Sequence, residues 1–422
     1  MSFKLRISFP KRPRASRNDN VSHPTTPPSS SYSAEIVGSN DDLLNQILLR
    51  LPIKSLLKFK SVSKHWLSLI SNPNFSRCRS PFPTAASGLI LQASRSWVNN
   101  PEFHFVDFDN PCPSPHSSSF AVPFKSLTFV NDPSRIIITQ SCNGLLLCST
   151  AGLHSPRKYY FVYNPTTKQY TTLPPLSFRR GTFTWTVRDI VLAFDPSKSP
   201  HYKVVCVMQC DNYSDVGDEY RIEIYSSETG PWRPAKAQPS FSGLRPGTIR
   251  GVFCNGAVHW VNPWGTSLHF KVDEDQLCQM PYPMHDNVDA VNEDLRYVGE
   301  SRDHLHAILY GNIVTHHLDV FEMERDCARW VFKFKVDLDE ISNIFPEIIP
   351  VNICHPGIDY DSSSVLCFVR GELLEDSFLV LRIFGIVFRY DFKTRTFCKL
   401  CVNDNHSIWC ENYQYIQSLA CV

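Results

Sequence analysis

The chain has 422 residues, 42% of them hydrophobic, with 17 Gly, 31 Pro and 42 Lys+Arg against 41 Asp+Glu. This is a globular composition rather than a collagen-like or disordered one, and the length suits two or three domains. No apolar run approaches the roughly 18 residues that a membrane-spanning helix needs, and the N-terminus lacks the apolar stretch of a secretory signal. Neither a membrane protein nor a secreted one is expected.

The net charge of +1 hides an asymmetry. Residues 1–80 hold 13 Lys+Arg and 4 Asp+Glu, and the remainder holds 29 and 37. A basic head on an acidic body predicts separate parts with separate partners. Nucleic acid or an acidic protein would suit the head, and the acidic body favours a basic target. The 15 cysteines are odd in number and irregularly spaced. Cys148, Cys206, Cys367 and Cys398 lie inside apolar β-type runs, where a thiol behaves as a small buried hydrophobe. A reducing compartment is therefore expected, not a disulfide framework. The sequons at Asn74, Asn212 and Asn405 are then chance matches.

Residues 1–34 form a basic, Ser/Pro-rich tail that cannot bury enough apolar surface to fold, so disorder is expected there. The run Lys11-Arg12-Pro13-Arg14 reads as a solvated tail, a nuclear signal or part of a transit peptide. Residues 35–80 change character. Leu43, Leu44, Ile47, Leu48 and Leu51 mark one face of a helix, with Asn40 or Asp41 as its cap and Pro52 as its stop. Leu56, Leu57 and Phe59 mark a second short helix. Val62, His65, Trp66, Leu69 and Ile70 mark a third, with Ser61 as its cap and Asn72-Pro73 as its end. Three short helices in about 35 residues make too small a core to stand alone, so a partner is expected to cover the excess apolar surface.

Residues 85–422 read as β throughout: runs of Val, Ile, Phe and Tyr punctuated by Gly, Pro, Asn and Asp. An internal repeat runs through them. Tyr163-Asn164 to Tyr170, Tyr225-Ser226 to Trp232 and Tyr390-Asp391 to Phe397 share a Tyr, a polar turn residue, a Thr three later and an aromatic. That is a hairpin whose turn is started by a side chain bonding its own backbone. Weaker copies begin near Phe103, Phe270 and Val320. A second element recurs at Cys142-Asn143-Gly144 and Cys254-Asn255-Gly256. Six hairpins spaced about 57 residues apart point to a propeller of six blades, with seven blades or an open β-sandwich as alternatives. The expected class is α+β: a small helical unit followed by an all-β, propeller-like domain.

Residues 41–75 resemble an F-box. They carry its Leu-Pro at Leu51-Pro52, its Leu-Leu at Leu56-Leu57, and its Val-x-Lys-x-Trp at Val62, Lys64 and Trp66. One departure is Ser39-Asn40, where the family often has a further Leu-Pro. The remainder resembles the plant F-box-associated, kelch-related domain, through Ser141-Cys-Asn-Gly-Leu145 and the stretch from Asn164-Pro165 to Leu173-Pro174. The resemblance implies a substrate receptor of a Skp–cullin–F-box ubiquitin ligase. The F-box would dock on a Skp-type adaptor, and through it on cullin, while the β domain captures an unknown protein substrate. Adaptor contacts are expected from Leu44, Ile47, Leu51, Pro52, Leu56, Leu57, Val62, Lys64 and Trp66. The bland readings are that Trp66 fills the helical core, Lys64 is simply solvated and Leu51-Pro52 only stops a helix.

Chemistry finds little support in the sequence. Cys398 and Cys401 form a C-x-x-C, but on a strand they point to opposite faces, and no second pair completes a zinc site. His304 and His306 share a strand face near His316-His317, with no acidic partner at ligand spacing. No phosphate loop, Gly-x-Ser-x-Gly or His-Glu-x-x-His is present, so no catalytic, metal or cofactor site is expected. No nucleic-acid or membrane partner is expected for the whole chain, and residence is expected in the nucleus or cytoplasm. A competing reading has the β domain bind a carbohydrate or small ligand outside a ligase. It rests on Trp185, Trp232, Trp260 and Trp264 being exposed; otherwise they pack between blades.

Overall fold

The computed structural model describes residues 38–79, 85–93, 101–108, 127, 136–150, 158–176, 179–180, 183–210, 219–236, 250–284, 294–311, 316–346, 364–383, 385–402 and 409–422. The basic Ser/Pro-rich run 1–34, with Lys11 to Arg14, lies outside them, as do Asn212 and Asn405. The chain divides into two units, residues 1–50 and 51–422. No described helix is long and apolar enough to cross a membrane.

The described part of the first unit is α1 (Asp41–Leu49). Asn40 is its cap: the side-chain oxygen accepts from the amides of Asp42 (3.0 Å) and Leu43 (3.1 Å), which have no partner inside the helix. The departure from the family pattern at Ser39-Asn40 is thus a helix start. Asp41 and Asp42 in the first turn add charge of the favourable sign. The apolar stripe is divided. Leu44 and Leu48 are buried, whereas Leu43 and Ile47 stay 41% and 47% exposed.

The second unit opens with α2 (Ile53–Phe59), α3 (Lys64–Ile70) and α4 (Pro73–Arg79). Two expectations need correction. Ser63, not Ser61, caps α3, accepting from the Trp66 amide at 3.1 Å, while the Ser61 hydroxyl donates to the Lys58 carbonyl at the end of α2. Val62 therefore lies between helices and not on the third stripe. Pro73 begins a helix as well as following one. A proline suits the first helical position, where its missing N–H costs nothing, and Asn72 accepts from the Asn74 amide at 2.8 Å.

Six antiparallel sheets follow. The first joins β1 (Gly88–Ala93) and β2 (Glu102–Asp107) to the last strand, β24 (Trp409–Tyr415), in the order β2-β1-β24. The second holds β3 (Ile136–Cys142), β4 (Leu145–Thr150), β5 (Tyr160–Asn164) and β6 (Gln169–Thr172). The third holds β7 (Arg179–Arg180), β8 (Phe183–Ala193), β9 (Lys203–Cys210), β10 (Tyr220–Ser226) and β11 (Gly230–Pro234). The fourth holds β12 (Val252–Cys254), β13 (Ala257–Trp260), β14 (Ser267–Lys271) and β15 (Gln276–Met280). The fifth holds β16 (Asp294–Ser301), β17 (His304–Tyr310), β18 (His317–Met323) and β19 (Trp330–Asp337), followed by α5 (Asp339–Ile344). The sixth holds β20 (Ser364–Val369), β21 (Phe378–Ile383), β22 (Ile386–Asp391) and β23 (Thr396–Val402).

The core lies between sheets, and every neighbouring pair is cemented. Ile90 meets Leu146 and Phe161 across the first and second. Leu147 and Val162 meet Leu192 and Val204 across the second and third. Ile222 meets Val258 and Phe270, and Cys254 meets Leu305. Ile308 and Val320 meet Leu379 and Phe388, and Leu89 and Leu91 meet Val380 and Val387. Six interfaces returning to the first sheet make a closed six-bladed propeller, which removes the seven-bladed and open-sandwich alternatives. Strands such as β4 and β5 are buried along their whole length, which is why they read as unbroken apolar runs.

The internal repeat is the outer hairpin of the second to sixth blades, while the weaker copy near Phe103 falls on β2, which pairs only with β1 among the described residues. In β5–β6 the Asn164 oxygen accepts from the Thr166 and Thr167 amides at 2.9 and 3.2 Å. In β22–β23 Asp391 accepts from Lys393 and Thr394, both at 3.1 Å. The Cys-Asn-Gly element is the turn between the first two strands of a blade, with left-handed φ at Asn143 (45°), Gly144 (87°), Asn255 (50°) and Gly256 (82°). Its asparagine also ties adjacent blades. Asn143 Nδ2 donates to the Phe194 carbonyl (2.7 Å), and Asn255 Nδ2 to that of Asp303 (2.8 Å). Every cysteine whose side chain is described is a free thiol; Cys148, Cys206 and Cys367 are fully buried, and burial pushes their thiols up.

Candidate functional site

The nine residues expected to meet an adaptor divide by burial. Leu44 and Leu56 are 2% and 0% exposed, so their side chains are interior. Ile47, Pro52, Val62 and Lys64 are exposed, and Leu51, Leu57 and Trp66 are half-buried. Trp66 stands edge-on to Phe59, with ring centres 5.3 Å apart. Two exposed apolar side chains fall outside the expected set: Leu43 at 41% and Leu67 at 45%. Leu43 shares a helical stripe with the buried Leu44, and periodicity does not distinguish the two edges of a stripe.

The propeller channel is the second candidate. The first strands of the blades line it, with β24 serving the first blade. Its ends follow from connectivity. The β3–β4, β12–β13 and β16–β17 turns lie at one end, here called lower, and the β4–β5, β13–β14 and β17–β18 loops at the upper end. A lower cavity of about 170 Å³ is lined by Gln140, Asn143, Tyr297, Glu300, Asn412 and Gln414, among others. The Glu300 carboxylate accepts from the Asp303 amide at 2.8 Å. Burial pushes its carboxyl up to about 7, against the pull of that amide.

The upper cavity, about 350 Å³, is lined by Lys158, Arg188, Asp189, Arg250 and Glu411, with Gln92, Gln140 and Tyr413. Arg250 forks onto Glu411 at 2.7 and 2.6 Å. Asp189 accepts from the Ile190 amide (3.0 Å), the Gly251 amide (2.9 Å) and Trp260 Nε1 (2.8 Å). Burial pushes the Asp189 carboxyl up, and these donors oppose it.

The tryptophans are placed otherwise than the small-ligand reading requires. Trp185 and Trp260 are 7% and 1% exposed. Trp232 packs on the second–third blade core, its Nε1 donating to the Pro174 carbonyl at 2.7 Å. Trp264 alone of the four is widely exposed, at 77%, in the β13–β14 loop.

The histidines also differ from expectation, because they do have acidic partners. His304 Nδ1 and His306 Nε2 lie 3.5 and 3.2 Å from Glu322. His316 meets Asp339 and His317 meets Asp319, both at 3.0 Å. Glu322 faces His306 across the β17–β18 pairing, sixteen positions away in sequence. Its oxygens are already taken by Arg370 (2.9 Å) and Lys333 (3.5 Å), cations that no metal ion would share. Among the described residues no cluster of three His, Cys, Asp or Glu could hold a metal.

His259 gives a pH-dependent expectation. It stacks on His269 at 5.7 Å, with Nε2 3.2 Å from the Cys254 carbonyl. Burial pushes its imidazole down to about 4, against the pull of that carbonyl. A depressed histidine stays neutral in the fold while the unfolded chain protonates near its ordinary value of about 6.5. Stability is therefore lost as pH falls from about 6.5 to about 4. His259→Phe should flatten the fall of the urea midpoint over that window; an unchanged slope would count against this assignment.

Comparison with known proteins agrees with the architecture. A family model described as the F-box domain matches residues 40–78, and one described as the F-box associated beta propeller domain matches residues 106–420. The F-box protein At5g07610 of Arabidopsis thaliana is 37% identical over 441 aligned residues, covering 99% of this chain and 98% of that protein. The F-box protein At5g49610 of the same plant is 28% identical over 327 residues, covering 75% and 83%. The putative F-box/kelch-repeat protein At1g12870, also of Arabidopsis, is 26% identical over 239 residues, covering 52% of each. An F-box joined to a propeller implies in general a substrate-recognition role in Skp–cullin–F-box complexes, and such proteins are generally non-catalytic adaptors that bind Skp1-type partners. With α1 to α3 and all but the last residue of α4 inside the first match and the closed ring spanning the second, the chain belongs to the F-box family whose C-terminal part is an F-box-associated β-propeller.

Proposed function

We propose that this chain is the substrate-recognition subunit of a Skp–cullin–F-box ubiquitin ligase. Its F-box docks on a Skp-type adaptor, and through it on cullin, and its propeller captures a target protein. The observation that carries this reading is that each unit leaves apolar side chains of the F-box segment open: Leu43 and Ile47 on α1 in the first unit, and Val62 and Leu67 around α3 in the second. Covering the exposed half of a side chain of this size gains roughly 0.8–1.5 kcal/mol, so several such anchors together supply a stable contact. Ile47, Leu51, Pro52, Leu57, Val62, Lys64 and Trp66 are the contacts in this reading, while Leu44 and Leu56 shape the helices that present them. Residues 39–80 carry 7 Lys+Arg and 2 Asp+Glu, which suits the acidic adaptors of the family and speeds encounter.

In this reading the chain performs no chemistry; it holds the target beside the conjugating enzyme, so that proximity does the work. Nuclear or cytoplasmic residence belongs to the same reading, and a fluorescent fusion confined to plastids would contradict it. The small-ligand alternative keeps Trp264 as its one widely exposed tryptophan, since Trp185 and Trp260 are packed inside the propeller.

The test is co-purification from cells of the full chain and of a Leu51→Ala/Pro52→Ala/Trp66→Ala variant. The wild type should bring down adaptor and cullin, and the triple variant should lose at least about tenfold of both. Absence of adaptor from the wild-type sample would remove the reading.

A further inference from the structure

The upper mouth of the channel carries a charge opposite to that of the body around it. Asp189 is committed to three donors, two of them on the fourth blade. Glu411 is matched by the Arg250 fork. Two cations on the cavity wall then lack a counter-charge among the described residues. Lys158 makes no ion pair there, and Arg188 has as its partner the neutral oxygen of Gln209, at 2.5 Å. Both are exposed. They come from different blades, Lys158 just before β5 and Arg188 in the middle of β8, and converge on one cavity of about 350 Å³. The residues beyond position 80 hold 29 Lys+Arg against 37 Asp+Glu, so this mouth is a local reversal of sign.

A cleft with low-dielectric walls concentrates the field of the charges lining it. A guanidinium receives a carboxylate through paired N–H groups, and an ammonium adds a point charge. We propose that the upper mouth of the channel receives an acidic segment of the target protein, with Asp or Glu carboxylates held by Arg188 and Lys158 against the wall formed by the Arg250–Glu411 pair. This rests on the substrate-receptor reading and gives the target a chemical class. It replaces, at this site, the expectation of a basic target drawn from whole-body charge.

The test uses the full chain co-purified with its adaptor, titrated with a fluorescein-labelled Glu-rich peptide of about ten residues. The peptide should bind, and binding should weaken as salt rises. Lys158→Glu/Arg188→Glu should weaken it by at least about tenfold, while Lys168→Glu/Lys335→Glu, an equal charge change on exposed outer positions, should stay within about twofold. No binding by the wild type, or equal loss in both variants, overturns the proposal. An oligonucleotide of the same charge that binds more tightly than the peptide also overturns it, assigning the mouth to nucleic acid. Adaptor in the same samples reports separately on the receptor reading. Adaptor retained with no peptide binding removes only the acidic-segment proposal, and peptide binding without adaptor removes only the ligase assignment.

Discussion

Glu322→Gln is expected to destabilise the propeller by about 3–5 kcal/mol, read as a lower urea midpoint at neutral pH. Glu322 is a hub between the fifth and sixth blades. Its oxygens lie 2.9 Å from Arg370 Nε, 3.2 Å from His306 Nε2 and 3.5 Å from both His304 Nδ1 and Lys333 Nζ. Burial alone would push the carboxyl up, but the hydrogen bonds from His304, His306 and Arg370 win and hold it well below the usual carboxylate range. His306 is pushed down by burial, against the pull of Glu322, so it stays neutral. An amide in place of the carboxylate would keep the shape and remove the charge, leaving Arg370 and Lys333 half-desolvated without a counter-ion.

The pH sign follows from that depressed carboxyl. The stability it contributes is present above the unfolded value of about 4.3 and is lost only as pH falls through the much lower folded value. The loss caused by Glu322→Gln should therefore be constant between about pH 5.5 and 8. A loss under about 1 kcal/mol would mean that the cations find water instead.

Gly144→Ala should cost roughly 2–5 kcal/mol, while Gly256→Ala, in the other copy of the same motif, should cost roughly 1–2. Both glycines have left-handed φ, so any side chain pays the backbone penalty. Their surroundings differ. A Cβ at Gly144 would overlap Ser418 Cβ and stand 2.9 Å from the Ile416 carbonyl oxygen, whereas one at Gly256 meets nothing within 4 Å. The segment pressed onto Gly144 is the C-terminal tail. Asn164, fully buried, holds it by donating Nδ2 to the carbonyls of Ser418 (3.1 Å) and Ala420 (2.8 Å). Gly144→Ala must displace backbone that Asn164 fixes, and Gly256→Ala displaces none. Equal losses in paired urea titrations would contradict this role for the tail.

What could be read from the sequence was what neighbouring residues encode together. The outer hairpins of the second and sixth blades are written within about eight residues, because Asn164 and Asp391 fold their own turns. The Leu51-Pro52 and Val62-x-Lys64-x-Trp66 spacings are equally local. What stayed hidden depends on strands meeting across the fold. Glu322, His306 and Arg370 span 65 positions and converge through strand register and blade packing. Lys158 and Arg188 lie on different blades, so their shared cavity has no signature in either segment. The tryptophans were partly separable. Trp264 sits in an Asn262-Pro263-Trp264-Gly265 turn, whereas Trp260 closes an apolar strand, and that difference marks one as exposed and the other as core. Pro73 misled because a proline both ends one helix and opens another.

The measurement that bears most directly on the substrate-receptor account is a calorimetric titration of the purified full chain with a Skp-type adaptor. The variants to compare are Ile47→Glu and Val62→Glu. Both side chains are exposed, so folding should survive, as a circular-dichroism melt would verify. The account predicts saturable binding by the wild type and a loss of at least about tenfold in each variant, the effect of burying an unpaired charge where an apolar anchor belongs. Unchanged affinity in both folded variants would place the contact elsewhere on the chain, and no binding by the wild type would contradict the account at its root.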